Sequence, residues 1–132
     1  MKKLNFKNTI FIIIFSILFG CGVSVPKLNE IIGIYYGKYQ NATESLEINA
    51  DGTFYQELII DGQIFFKNSG KWSIDGYNIS LESFYEYFDL QLKVVRKEPV
   101  LCHSYCQWYS PDLLIFDEDA GYALQRKKIN LK

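Results

Sequence analysis

From residue 31 onward, apolar and polar residues alternate along the chain in short runs. Leu46 and Ile48 stand among Ser45, Glu47 and Asn49; Trp72 and Ile74 stand among Lys71, Ser73 and Asp75. Ile79 and Leu81 alternate with Asn78, Ser80 and Glu82, and Ala123 and Gln125 with Tyr122, Leu124 and Arg126. A two-residue period sends successive side chains to opposite faces, the mark of a half-buried strand. Asp-Gly pairs at Asp51-Gly52, Asp61-Gly62 and Asp75-Gly76 separate the runs. Glycine accepts the positive φ of a tight hairpin turn, and aspartate can hydrogen-bond its own backbone there. The pattern predicts strands over 32–39, 44–49, 53–60, 63–68, 70–74, 78–83, 90–97, 112–116 and 121–128. No stretch after the first twenty residues holds a 3.6-residue period, and the best helical candidate, Asn29 to Ile34, is short. Phe84 to Phe88 reads either as a strand continuation or as a loop folded over one end. The expected fold is all-β, antiparallel and up-and-down. Open edges on so apolar a sheet invite aggregation, so a small barrel or a strongly curled sheet is expected.

The start of the chain follows a different rule. Lys2, Lys3 and Lys7 precede the run Ile10 to Phe19, which is apolar apart from Ser16. As a helix this run reaches about 15 Å, half of the ~30 Å hydrocarbon core of a bilayer. It is too short to span comfortably and fits the apolar region of a helical signal peptide. Leu18, Phe19, Gly20 and Cys21 follow and resemble the lipobox of bacterial lipoproteins, with Phe19 a departure at the middle position. The resemblance implies cleavage before Cys21, a thioether-linked diacylglycerol and an N-acyl chain (palmitate or a similar fatty acid) on Cys21, and no other cofactor. It also implies an exported protein anchored to the membrane by lipid. With Gly22 rather than Asp after the cysteine, it implies the outer membrane in a Gram-negative cell. Two or three acyl chains suffice for stable anchoring where one does not. The expected organisation is signal peptide 1–20, lipidated cysteine and tether 21–30, and one β domain 31–132.

Cleavage would change the charge. The 132 residues carry a formal net charge of −1, but three of the fourteen basic residues and none of the fifteen acidic ones lie before Cys21. The 112 residues left would carry eleven basic and fifteen acidic groups, a net charge of −4. An acidic domain is repelled by nucleic acid and by anionic headgroups, so lipid and not charge would hold it at a membrane. A hydrophobic share of 48% and one domain's length argue against a disordered chain and against a multidomain enzyme.

Three segments share a second resemblance. Gly33 to Tyr39 (GIYYGKY) looks like the opening G-x-[WY]-x-G-x-[WY] strand of small lipocalin-like lipoproteins. Leu46 to Phe54 is similar to their L-x-L-x-x-D-G-[TS]-[FY] hairpin, and Ser69 through Leu81 to their G-x-W-x-[IL] hairpin. A weaker echo runs from Gly121 to Lys127. The best-known proteins of this kind are the copper-resistance and envelope-stress lipoproteins. Their C-x-x-C pair is absent between Gln40 and Ser45, so no metal role is implied. The motifs imply a fold and not a function.

One cluster could carry chemistry: Cys102-His103-Ser104-Tyr105-Cys106. With Cys21 lipidated, two cysteines remain in an oxidising compartment, and a Cys102–Cys106 disulfide shaping the segment from Pro99 to Pro111 is the leading expectation. Free thiols and a thiolate–imidazole metal site are the alternatives. His103 has no catalytic partner in a recognisable order, and Glu82 with Glu86 reads as a solvated face. Lys93, Arg96 and Lys97 read the same way. No catalytic constellation and no metal-ligand spacing is legible, so an enzyme is not expected. The aromatic share, 17%, concentrates in Phe84, Tyr85, Tyr87 and Phe88 and again in Tyr105, Trp108 and Tyr109. Tyrosine and tryptophan suit binding surfaces because one end of each is apolar and the other polar. These residues are candidates for holding a small apolar ligand or envelope component at one barrel end. The alternative is an exposed surface for a protein partner, as in an inhibitor, an immunity protein or an envelope sensor. An end-open aromatic cavity would favour the ligand; a filled interior with exposed aromatics would favour the partner.

Overall fold

In a computed structural model that describes residues 25–128, the alternating runs close into a barrel. The signal segment, the lipobox and Cys21 lie outside the described residues. A short helix α1 (Leu28–Ile31) leads into β1 (Gly33–Tyr39), β2 (Ala42–Ile48), β3 (Thr53–Ile60) and β4 (Gln63–Asp75). There follow β5 (Asn78–Asp89), β6 (Val94–Ser110), β7 (Leu113–Asp117) and β8 (Tyr122–Arg126). Each strand pairs antiparallel with the next, and β8 returns to β1 through Tyr35↔Arg126 and Tyr36↔Gln125. The barrel therefore has eight strands, and the β8–β1 pairing closes it.

All three Asp-Gly pairs fall at hairpin turns, with φ of 82° at Gly52, 79° at Gly62 and 61° at Gly76. Asp61 is itself at 51°, so the β3–β4 turn has positive φ at both central residues, which matches the twist of its strands. At the β2–β3 turn the Asp51 carboxylate accepts from the Thr53 N–H at 3.0 Å and the Thr53 hydroxyl at 2.6 Å.

The structure corrects several expected strands. Runs 63–68 and 70–74 are one strand, β4, because Gly70 does not break it. A Cβ at Gly70 would lie 2.1 Å from the Glu82 carbonyl oxygen and 2.5 Å from the Phe54 ring, so this glycine permits a close approach inside the sheet. The expected strand 90–97 begins as a turn. Asp89 Oδ1 accepts from the Gln91 and Leu92 N–H groups, Lys93 has φ 54°, and β6 starts only at Val94. β6 then runs as one strand to Ser110, through the segment that a Cys102–Cys106 disulfide was expected to shape. Phe84 to Phe88 continues β5, and the helix covers Leu28–Ile31 rather than 29–34.

The buried residues follow the alternation: Tyr35 from β1, Leu46 and Ile48 from β2, Phe54 and Leu58 from β3, Trp72 from β4 and Leu124 from β8. Bulges interrupt β5 against β6 between Leu81 and Phe84 and between Glu86 and Phe88. The second lets adjacent residues Tyr87 and Phe88 both be buried, which strict alternation would forbid.

Candidate functional site

Two parts of the molecule carry more polar chemistry than packing requires: the interior around Glu44 and the outer face of β6. Glu44 takes an inward position on β2, between buried Ala42 and Leu46, and is fully buried. Three other strands supply its partners. Gln56 on β3 donates to Oε1 at 2.8 Å; the hydroxyls of Tyr87 on β5 and Tyr122 on β8 each donate to Oε2 at 2.9 Å. Gln56 is itself held by the Tyr85 backbone, giving to the carbonyl at 2.9 Å and accepting from the N–H at 3.1 Å. Among the described residues no cation pairs with Glu44. Burial pushes its carboxyl up to about 7, against the pull of the three donors. Burial, with Glu44 nearby, pushes the Tyr87, Tyr122 and Cys106 groups up as well, and Tyr39 to about 12. The cluster can hold or release one proton near neutrality.

The other end of the barrel is closed by α1 and Arg126. The guanidinium donates through Nη1 to the Ile32 carbonyl at 2.6 Å and through Nε to the Pro111 carbonyl at 2.5 Å. Its Nη2 reaches the Glu30 carbonyl and, at 2.7 Å, the Tyr35 hydroxyl. Arg126 also lies over the Tyr35 ring, 5.0 Å from its centroid, and the Tyr35 hydroxyl donates to the Ile31 carbonyl at 2.6 Å.

The expected aromatic cluster is divided between inside and outside. Phe84, Tyr87 and Phe88 are buried. Phe84 stacks on Phe116 at 5.3 Å, Phe116 on Tyr122 at 4.7 Å, and Tyr122 packs edge-on against Tyr87 at 5.9 Å. Tyr85 and Trp108 are half-buried, and the Trp108 Nε1 is enclosed without a partner among the described residues. Tyr105 and Tyr109 are 51% and 71% exposed on β6, with Leu101 at 55% beside them.

The expected Cys102–Cys106 disulfide is not formed; both thiols are free. Both cysteines sit in one extended strand, paired with Phe84 and Ile79 of β5. Residues four apart in a strand are about 13 Å apart, whereas a disulfide needs Cα atoms within about 7 Å. Among the described residues no group of three His, Cys, Asp or Glu side chains could hold a metal ion. The His103 Nε2 instead hydrogen-bonds the Ser80 hydroxyl at 2.6 Å, and its ring stacks on Tyr105. Glu86 shares Arg96 with Asp89, each at 3.6 Å.

Sequence reasoning missed Glu44, Gln56 and Arg126. A signal existed for the first two: Glu44 and Gln56 both occupy apolar positions of an alternating run, between Ala42 and Leu46 and between Phe54 and Leu58. Arg126 carried none, because its partners, three backbone carbonyls and Tyr35, meet it only once the barrel closes.

The fold and these sites define a closed, eight-stranded antiparallel barrel with a polar cluster inside it. No protein-family profile, curated protein or solved structure matches the chain.

Proposed function

We propose that this chain is a membrane-anchored bacterial lipoprotein whose β domain binds a protein of the cell envelope through the outer face of β6. One observation carries this reading. The barrel's rings pack on one another and on Glu44, while Leu101, Tyr105 and Tyr109 are exposed along a single strand. Solvent-facing aromatics of this kind are the usual anchors of protein interfaces. The lipobox-like end, Leu18 to Cys21, supports the anchor, and the acidic balance of the rest supports lipid over charge as the tether.

A second reading, a small apolar ligand, rests on a cleft of about 230 Å³ where Tyr105, Ile115 and Phe116 stand beside Asn78, Gln107 and Glu118. Photo-crosslinking in native membranes separates the two. A benzophenone amino acid at Tyr105 or Tyr109 is expected to capture a discrete protein, and one at Glu47 on β2 is expected to capture none. Absence of crosslinks at both tyrosines, with an apolar molecule extracted from purified protein, would transfer the function to the ligand. Intact mass of the membrane fraction is expected to show loss of residues 1–20 and added diacylglycerol. A mature protein that retains Met1 would remove the anchor from the proposal.

A further inference from the structure

β6 is 17 residues long, but only part of it is paired on both sides. Toward β5 its ladder runs from Asn78↔Gln107 to Asp89↔Val94. Toward β7 it consists of Gln107↔Ile115, Trp108↔Leu114 and Ser110↔Leu113. β7 ends at Asp117 and the chain turns away into β8, so from Val94 through Cys106 one edge of β6 has no strand beside it among the described residues. One hydrogen bond gives the direction of its backbone groups. The Trp108 N–H donates to the Tyr77 carbonyl, on the β5 side. Alternation along the strand then turns the N–H and C=O groups of Leu101, His103 and Tyr105 the other way, toward the open edge.

The upper part of that edge is guarded in the usual manner, by Lys97, Glu98 and Pro99, the last with no N–H to offer. The stretch from Val100 through Cys106 contains no Asp, Glu, Lys or Arg. At its foot, where β7 leaves β6, lies the 230 Å³ cleft, whose lining includes Tyr105, Gln107, Ile115, Phe116 and Glu118. The turn beside it carries Asp117, Glu118 and Asp119, and none of the three carboxylates forms an ion pair among the described residues. Among the described residues the Lys93 ammonium reaches the Asp119 carbonyl and none of these carboxylates.

We infer that the open edge from Val100 to Cys106 takes up an extended segment of the protein partner, running antiparallel to β6 in the line that β7 vacates. This rests on the reading of β6 as an interaction face and states how the partner is held. Backbone hydrogen bonds from Leu101, His103 and Tyr105 give the affinity. The cleft seats one apolar side chain of the segment, and a neighbouring Lys or Arg meets the acidic turn. The charge at the turn is what selects a basic apolar segment over an acidic one.

The test uses the full-length chain in detergent micelles. The probe is a fluorescein-labelled, acetylated octapeptide, Thr-Val-Thr-Leu-Lys-Val-Thr-Thr, followed by anisotropy. Saturable binding is expected. His103→Ala keeps the edge N–H and so serves as the reference that separates the side chain from the backbone. His103→Pro removes that N–H without touching the β5 ladder and is expected to bind about tenfold more weakly, the scale of a lost backbone hydrogen bond. A peptide with Glu in place of Lys is expected to bind about fivefold more weakly, as a charge reversed at a part-exposed site would. Should His103→Pro fail to fold, two measurements on the unmodified chain decide. A peptide N-methylated at alternate residues is expected to lose binding, and amide exchange at His103 and Tyr105 is expected to slow when the plain peptide is added.

Equal binding by His103→Ala and His103→Pro, equal binding by the N-methylated peptide, or no saturable binding at millimolar peptide overturns the inference. So does a doubled sedimenting mass without peptide, with the same amides already protected, because a second copy then covers the edge. Crosslinks from Tyr109 together with no peptide effect at His103 would leave the interaction face standing and remove the strand. Loss of both would remove both.

Discussion

Arg126, at the end closed by α1, and Glu44, among the tyrosines of the other half, are each held without a counter-ion among the described residues. Arg126 is solvated by three carbonyls and a hydroxyl, and Glu44 by one amide and two hydroxyls. Neutral dipoles do for both what a salt bridge would do, and without the cost of desolvating a second ion. The two differ in what happens when solvation falls short. A guanidinium keeps its charge at every pH a protein survives, so Arg126 can only hold or break. A carboxyl can take up a proton, and burial has moved the Glu44 carboxyl up to about 7, within reach of neutrality. Arg126 therefore acts as a permanent staple, joining β8 to α1, to the start of β1 and to the β6–β7 turn. Glu44 is the part of the core that responds to pH.

Breaking the staple should have the largest effect. Arg126→Met keeps much of the stem but leaves the Glu30, Ile32 and Pro111 carbonyls without their donor. Bonds to a charged donor are worth about 1.5–3 kcal/mol, so a loss of about 3 kcal/mol is expected in urea unfolding. Arg126→Lys should fall in between, since one ammonium cannot match a planar fork spread over three backbone segments. A loss below about 1 kcal/mol, the ordinary scale of a surface change, would show that α1 closes the barrel without Arg126.

Glu44 should be next. Its folded-state pKa, about 7, lies above the ordinary value of 4.5, so the folded protein binds the proton more tightly than the unfolded chain. Stability is then greatest below pH 4.5 as far as this group is concerned, falls as pH rises from 4.5 to about 7, and levels off above. At 1.36 kcal/mol per pKa unit the fall is on the order of 3 kcal/mol. Glu44→Gln cannot ionise and should flatten this part of the profile while leaving stability near pH 4 almost unchanged. Unfolding midpoints between pH 4 and 8 for both proteins check this. A wild-type profile as flat as that of Glu44→Gln would mean that the carboxyl stays ionised in the core.

How much of this was legible in the sequence follows from which signals are local. The hairpin turns were, because Asp51-Gly52, Asp61-Gly62 and Asp75-Gly76 carry their geometry in two residues. The barrel followed from alternation. Gly70 suggests a break because a glycine needed for close approach to Glu82 looks the same in sequence as one that ends a strand. Cys102 and Cys106 between two prolines suggest a segment shaped by a disulfide, yet a proline on an open strand edge costs no ladder bond and β6 runs straight through Pro99. The aromatic cluster could not be divided between inside and outside, since the bulge beside Tyr87 shifts the alternation by one residue and nothing in the sequence marks it. Glu44 stood in plain view on an inward position, but its partners come from strands β3, β5 and β8, and a single chain does not announce which strands will meet.

The smallest predicted effect divides the two charges most sharply, because it removes one oxygen atom from each side. Tyr122→Phe deletes a donor to Glu44, and Tyr35→Phe deletes the hydroxyl that links Arg126 to the Ile31 carbonyl. Each should cost about 1 kcal/mol, the net worth of one hydrogen bond. Their pH dependence should differ. The lost donor matters most to an ionised carboxylate, so Tyr122→Phe should cost more at pH 8 than at pH 4, and it should move the Glu44 titration further up. Tyr35 is held at about 12 by burial, opposed by Arg126, and neither group changes charge between pH 4 and 8. The cost of Tyr35→Phe should therefore be the same at both ends of that range. If Tyr122→Phe is equally indifferent to pH, Glu44 is not the group that titrates, and the distinction between staple and responsive core is lost.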